Sequence, residues 1–246
     1  SLAGKHYIKI ILDSNPFTEE AINKIANYTT PAAPVLSYAD GKLSWQNSAE
    51  AVSSIILKNG IKADSIKANS FAVPADAYAE YQVIAVDKNG VPSFASEPVA
   101  VANEKMISTY EVENTNPKSE LNYLGFTGAG FTETSKTVNA TVAVPVEVTE
   151  AGLYAIDFKY ANGNGPTNTE NKCAIRTLMI NTKVAGTIVL PQRGKNEWSN
   201  WGYSNSVQVY LEKGKQIIIL TLEDHNDNMN GDINQAMLDK MRVIKL

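Results

Sequence analysis

Hydrophobic and polar positions alternate along most of this chain. From residue 31 onward, short β-branched and aromatic runs recur about every 8–12 residues between Gly, Pro, Asn and Asp, the pattern of antiparallel sandwiches. The runs include Lys42–Trp45, Ser54–Leu57, Tyr81–Val86, Thr141–Val144, Tyr154–Phe158, Leu178–Ile180 and Gln216–Leu222. Asp40-Gly41, Asn59-Gly60 and Asn89-Gly90 supply hairpin turns between them. One segment departs from this period: a strand is expected at Tyr7–Leu12 and a helix at about Thr18–Tyr28, with Ala21, Ile22, Ile25 and Ala26 as its apolar stripe.

These elements divide the chain into three parts. Residues 1–30 are expected to be a remnant or linker of an upstream domain, because one strand and one short helix cannot bury a core. Thr29-Thr30-Pro31-Ala32-Ala33-Pro34 is a stiff boundary. A second boundary near Val99–Met106 separates a unit at 31–103 from one at 104–246.

Composition narrows the chemistry. The 246 residues carry a net charge of −4, spread over both parts, which excludes a polyphosphate binder, so no nucleic acid partner is expected. Apolar runs reach only about four residues, as at Ile217–Leu220, so no membrane span is expected. The single cysteine, Cys173, and two histidines, His6 and His225, exclude a disulfide framework and histidine-rich metal sites, and speak against serine or cysteine triads.

Pro34-Val35-Leu36, Leu43-Ser44-Trp45, Asn59-Gly60, Tyr81 to Asp87, Gly90 and Ser93 to Pro98 resemble a fibronectin type III domain over nearly all of 31–103. The resemblance implies a β-sandwich with Trp45 packed between its sheets. This unit carries no convergent polar cluster and reads as a spacer.

The last part holds the candidate chemistry. In Tyr110-Glu111-Val112-Glu113-Asn114, alternation puts both carboxylates on one strand face, about 7 Å apart. Two readings stay open: a solvated strand edge, or ligands of a hard cation. Asp224 to Asp232 mimics the start of an EF-hand, but its first position is Asn226 and its twelfth is Met237, so it reads instead as a loop presenting amides. Trp198-Ser199-Asn200-Trp201-Gly202-Tyr203 places three aromatics in a polar loop, one a sandwich wall and one a flat platform for a sugar ring. Thr127 to Phe131 and Asn162 to Pro166 complete no nucleotide motif and read as loops.

In order, Tyr110 to Glu113, Phe126 to Phe131, Val144-Pro145-Val146, Ala151 to Tyr154, Lys159 to Gly163, Arg176 to Asn181, Trp198 to Trp201, Val209 to Gly214 and Leu238 to Val243 resemble the carbohydrate-binding modules of families 6 and 35. That resemblance implies an all-β fold: the fibronectin type III-like sandwich followed by a β-jelly roll of galactose-binding type. It implies a structural calcium held by Glu111, Glu113 and Asp239. It also implies a sugar site in the loops at one end, built from Phe131, Trp198 or Trp201, and one of Asn228, Asn230 or Asn234. Lys159 stands where the family usually has Arg, and it cannot form a bidentate fork with a uronate.

The leading expectation is a non-catalytic carbohydrate-binding and spacer region of a secreted, periplasmic or cell-surface bacterial polysaccharide-degrading enzyme. Its partners would be a polysaccharide or oligosaccharide and an upstream catalytic domain. The alternative is a purely structural pair of domains that buttress the catalytic domain and carry a degenerate sugar site. A third class, a glycosidase built on Asp and Glu pairs, needs two carboxylates across a cleft; Glu111 and Glu113 suit a cation better.

Overall fold

The computed structural model describes residues 30–74, 77–166 and 169–246. The strand and helix expected within 1–30 lie outside them. The chain is all-β: twenty strands and three short 3-10 turns account for its regular structure among the described residues. No helix there is long and apolar enough to cross a membrane. The chain divides between Val101 and Ala102 into two compact units.

The first unit contains β1 (Val35–Ala39), β2 (Lys42–Gln46), β3 (Ala51–Lys58), β4 (Ile61–Ile66), β5 (Ser70–Ala72), β6 (Ala79–Asp87), β7 (Pro92–Ala95) and β8 (Val99–Val101). One sheet runs β1-β2-β5; the other runs β4-β3-β6-β7, with β8 also on β6. Asp40-Gly41 and Asn59-Gly60 close the β1–β2 and β3–β4 hairpins with positive φ at both residues, the backbone that two-residue hairpins require. Alternation along β6 buries Ala79, Tyr81, Val83 and Ala85, the first three in one cluster with Leu43, Trp45 and Ile56. Trp45 is buried, and its Nε1–H donates to Ser54 Oγ at 2.9 Å, so the polar tip of the ring is satisfied inside the core.

The second unit contains β9 (Ile107–Glu111), β10 (Thr132–Thr134), β11 (Thr141–Val148), β12 (Gly152–Ala161), β13 (Asn164–Gly165), β14 (Ala174–Ile180), β15 (Lys183–Leu190), β16 (Gly194–Lys195), β17 (Gly202–Tyr203), β18 (Val207–Leu211), β19 (Gly214–Thr221) and β20 (Ala236–Lys245). Sheet β10-β20-β12-β17, extended by β9 and β18, packs against sheet β11-β19-β14-β15 over one core. Strict alternation in β11 sends Val142, Val144, Val146 and Val148 inward; Ile218 and Leu220 of β19 and Tyr154, Ile156, Phe158 and Tyr160 of β12 meet them. Each such side chain contributes about 1.5–3 kcal/mol of burial.

Two irregularities position the candidate site. Strand β9 stops at Glu111, and Val112–Asn114 form a 3-10 turn that buries Val112. The expected alternation of Glu111 and Glu113 along one strand is therefore replaced by a bend. In the β12–β20 ladder Lys159 pairs with Lys240 and Tyr160 with Leu238, which leaves Asp239 as the extra residue of a β-bulge. Bulges re-aim side chains, and Asp239 is fully buried.

Candidate functional site

The bend and the bulge bring three carboxylates together around Thr127 and Gly128. Glu113 Oε1 accepts from the backbone N–H groups of Ala129 and Gly130, both at 3.0 Å. Thr127 donates its N–H to Asp239 Oδ1 at 3.0 Å. Its hydroxyl lies 3.0 Å from Asp239 Oδ1 and 3.1 Å from Glu111 Oε2. A hydroxyl has one proton to give, so it serves only one of these carboxylates at a time. Gly128 has φ +65°, and a Cβ there would meet Glu113 Oε1 at 2.7 Å and Glu111 Oε2 at 3.0 Å. The Gly-rich stretch that reads as a plain loop is thus the cradle of the carboxylates, and only glycine fits at its apex.

Charge in this pocket is under-compensated. Burial pushes the Glu111 carboxyl above the ordinary carboxylate range; the Thr127 hydrogen bond opposes the rise, while Asp239 and Glu113 add to it. Glu113 Oε2 is buried without a hydrogen-bond partner. Asp239 Oδ2 also lacks an aligned donor and instead pairs with the Lys159 ammonium at 2.6 Å. Thr127 stands between Glu111 and Asp239, and Lys159 occupies the far oxygen of Asp239. Accordingly, no group of three or more His, Cys, Asp or Glu among the described residues is gathered closely enough to form a ready-made metal centre.

The expected sugar residues separate into distinct environments. Phe131 is buried in a small core with Ala161 and Met237, so its ring presents no face to a ligand. Around it, partly buried, stand Tyr123, Phe126, Trp198 and Trp201. Tyr123 stacks on Trp198 with centroids 5.6 Å apart and planes 11° apart, and on Phe131 at 5.8 Å. Trp198 lies over Gly163, where a Cβ would come within 2.7–2.8 Å of three indole atoms. Trp201 donates its Nε1–H to Leu124 O at 2.7 Å, and Ser199 Oγ accepts from Leu124 N–H at 2.9 Å, which ties the loop before Phe126 to the tryptophan loop. The platform is therefore a pinned stack in which Tyr123 rests on both Trp198 and Phe131 and Trp198 also lies against Gly163. Tyr123 escaped the sequence reading because a lone Tyr between Asn122 and Leu124 shows no period.

Lys159, expected beside the sugar, is turned to the carboxylate pocket, with Nζ donating to Gly125 O at 3.2 Å and lying 5.7 Å from the Trp201 ring centroid.

The amides of the Asn-rich loop are engaged by the protein itself. Asn234 is buried; its Oδ1 accepts from Ile175 N–H and Arg176, and its Nδ2 donates to Asn226 O. Asn228 donates to Cys173 O and Ile233 O, and Asn230 to Glu170 O. Their amides shape the loop rather than facing outward as expected. The organiser is Arg176, which is wholly buried and spends all five guanidinium donors on Thr134 Oγ1, Ile175 O, Asn234 Oδ1 and Asn234 O. Each of those acceptors is neutral, and burial lowers the Arg176 pKa to about 10, which leaves it charged at neutral pH.

No family model matches the chain. A cycloisomaltooligosaccharide glucanotransferase of Niallia circulans is 32% identical over 133 residues, which are 53% of this chain and 12% of that protein. Endo-1,4-beta-xylanase B of Cellvibrio japonicus is 32% identical over 102 residues, 41% of this chain and 16% of that protein. The chain thus spans less than a fifth of the length of either relative. Among solved structures, a family 35 carbohydrate binding module from Clostridium thermocellum is similar over 57% of this chain and 98% of its own, at 18% identity and a TM-score of 0.42.

Proposed function

We propose that residues 102–246 form a non-catalytic carbohydrate-binding module and that residues 30–101 are a fibronectin type III-like spacer, both accessory to a secreted polysaccharide-active enzyme. The observation that carries this reading is the pinned aromatic stack at the loop end of the second sandwich. Trp198 and Tyr123 are only partly buried, and the parts of their rings left open suit the C–H groups of a sugar, while the polar sequence neighbours Asn122, Ser199 and Asn200 suit its hydroxyls. The similarity to enzymes named for glucan transfer and xylan cleavage points to the same ligand class. Affinity is expected to be modest, and tethering would raise the local concentration of substrate for the attached catalytic domain.

Calcium is part of this proposal. The donors are all hard oxygens, and Glu113 Oε2 is a buried acceptor with nothing to accept from. Glu111, Glu113 and Asp239 would hold the ion, which would neutralise their repulsion and join the end of β9, the 127–130 loop and β20.

The test is affinity electrophoresis of the full chain through gels containing dextran, xylan or mannan. Retardation by at least one glycan is expected, with loss of it in a folded Trp198→Ala protein. A second reading, structural buttressing with a degenerate sugar site, is favoured by the burial of Phe131 and the inward amides of Asn228, Asn230 and Asn234. Unretarded wild-type protein in every gel would decide for it.

A further inference from the structure

Lys159 sits where an external ligand would not need it. Its ammonium lies 2.6 Å from Oδ2 of the fully buried Asp239, with the side chain only 15% exposed. The bulge at Asp239 delivers that carboxylate to the same pocket as Glu111 and Glu113. Lys240, opposite Glu111 in the β9–β20 ladder, also acts on this cluster. We infer that Lys159 is an internal counter-ion that competes with a divalent cation for Asp239 and thereby sets how tightly this chain holds calcium.

The inference rests on the calcium reading above and follows from charge. One ammonium inside a pocket of three carboxylates leaves most of their repulsion in place, so a divalent ion is still attracted. That ion and the ammonium cannot both lie against Asp239 without strong like-charge repulsion, because Asp239 itself is fully buried. A flexible four-carbon stem lets the ammonium withdraw toward the rim, where it already donates to Gly125 O and lies beside Trp201. Loading calcium therefore carries the cost of moving Lys159, and without calcium Lys159 keeps Asp239 from being a bare buried charge.

The test is isothermal titration of the full chain with calcium chloride, comparing wild type, Lys159→Met, Lys159→Gln and Glu113→Gln, with thermal melts of each in chelator. Lys159→Met is expected to bind calcium at least about tenfold more tightly than wild type, and to melt lower than wild type in chelator. Glu113→Gln should lose the binding. Equal calcium affinity in wild type and Lys159→Met overturns the inference while the calcium reading stands. Calcium binding by neither protein, or binding that Glu113→Gln leaves unchanged, overturns both. If Lys159→Met does not fold without calcium, Lys159→Gln, which keeps a donor toward Asp239, carries the same comparison.

Discussion

Arg176→Met is the sharpest probe of how the loop end is built. Four acceptor atoms on Thr134, Ile175 and Asn234 take the five guanidinium donors over 2.5–3.1 Å. These five bonds act as one network around a single guanidinium that burial disfavours in its charged form, lowering its pKa to about 10, so they do not add. Removing one partner of a buried charged network costs about 3–5 kcal/mol, and about 3 kcal/mol, the low end, is the expected loss of stability. For a unit of this size it lowers the calorimetric transition by roughly 6–12 °C. Methionine fills similar volume, so the change reports polar organisation more than a cavity. Because Arg176 holds Asn234, cleavage by protease within residues 224–235 should rise in the same variant. An Arg176→Met protein that melts within 2 °C of wild type with an unaltered protease pattern would refute the reasoning.

Other expectations follow from the same geometry. Gly128→Ala forces a Cβ to 2.7 Å from Glu113 Oε1 at φ +65°; it should cost about 1–2 kcal/mol in backbone conformation alone and remove any rise in melting temperature on adding calcium, read by differential scanning fluorimetry. Burial raises the phenol pKa of Tyr203 above 10, as it does that of Tyr123. The folded protein then keeps a proton that the unfolded chain has released, so stability falls as pH climbs above 10. Absorbance titration should show late-ionising phenols, one of which disappears in Tyr203→Phe.

Much of the sandwich was legible from alternation. The inward rows of β6, β11 and β19 are those a two-residue period selects, and Asp40-Gly41 and Asn59-Gly60 turn as their side chains dictate. The site was legible only in residue type. Glu111, Glu113 and Asp239 do share one pocket, but through a 3-10 bend and a bulge that no regular period encodes. Trp198 and Trp201 stand in their loop as expected while Tyr203 lies in β17, yet Phe131 is drawn inward because Tyr123, Phe126 and Trp201 close over it. The Asn-rich loop looked available because amides are polar. Arg176, reading in sequence as an ordinary position in a strand, supplies the donors that turn Asn234 inward.

The chain has three tryptophans, Trp45, Trp198 and Trp201, and their indole N–H resonances give the most direct view of saccharide contact. In 15N-labelled protein titrated with isomaltooligosaccharides, and separately with xylooligosaccharides, the Trp198 indole signal should shift and saturate with one of the series. Trp45, enclosed in the first sandwich, should stay still. Indole signals of Trp198 and Trp201 that remain unmoved by every saccharide, in protein whose spectrum shows it folded, would contradict the account.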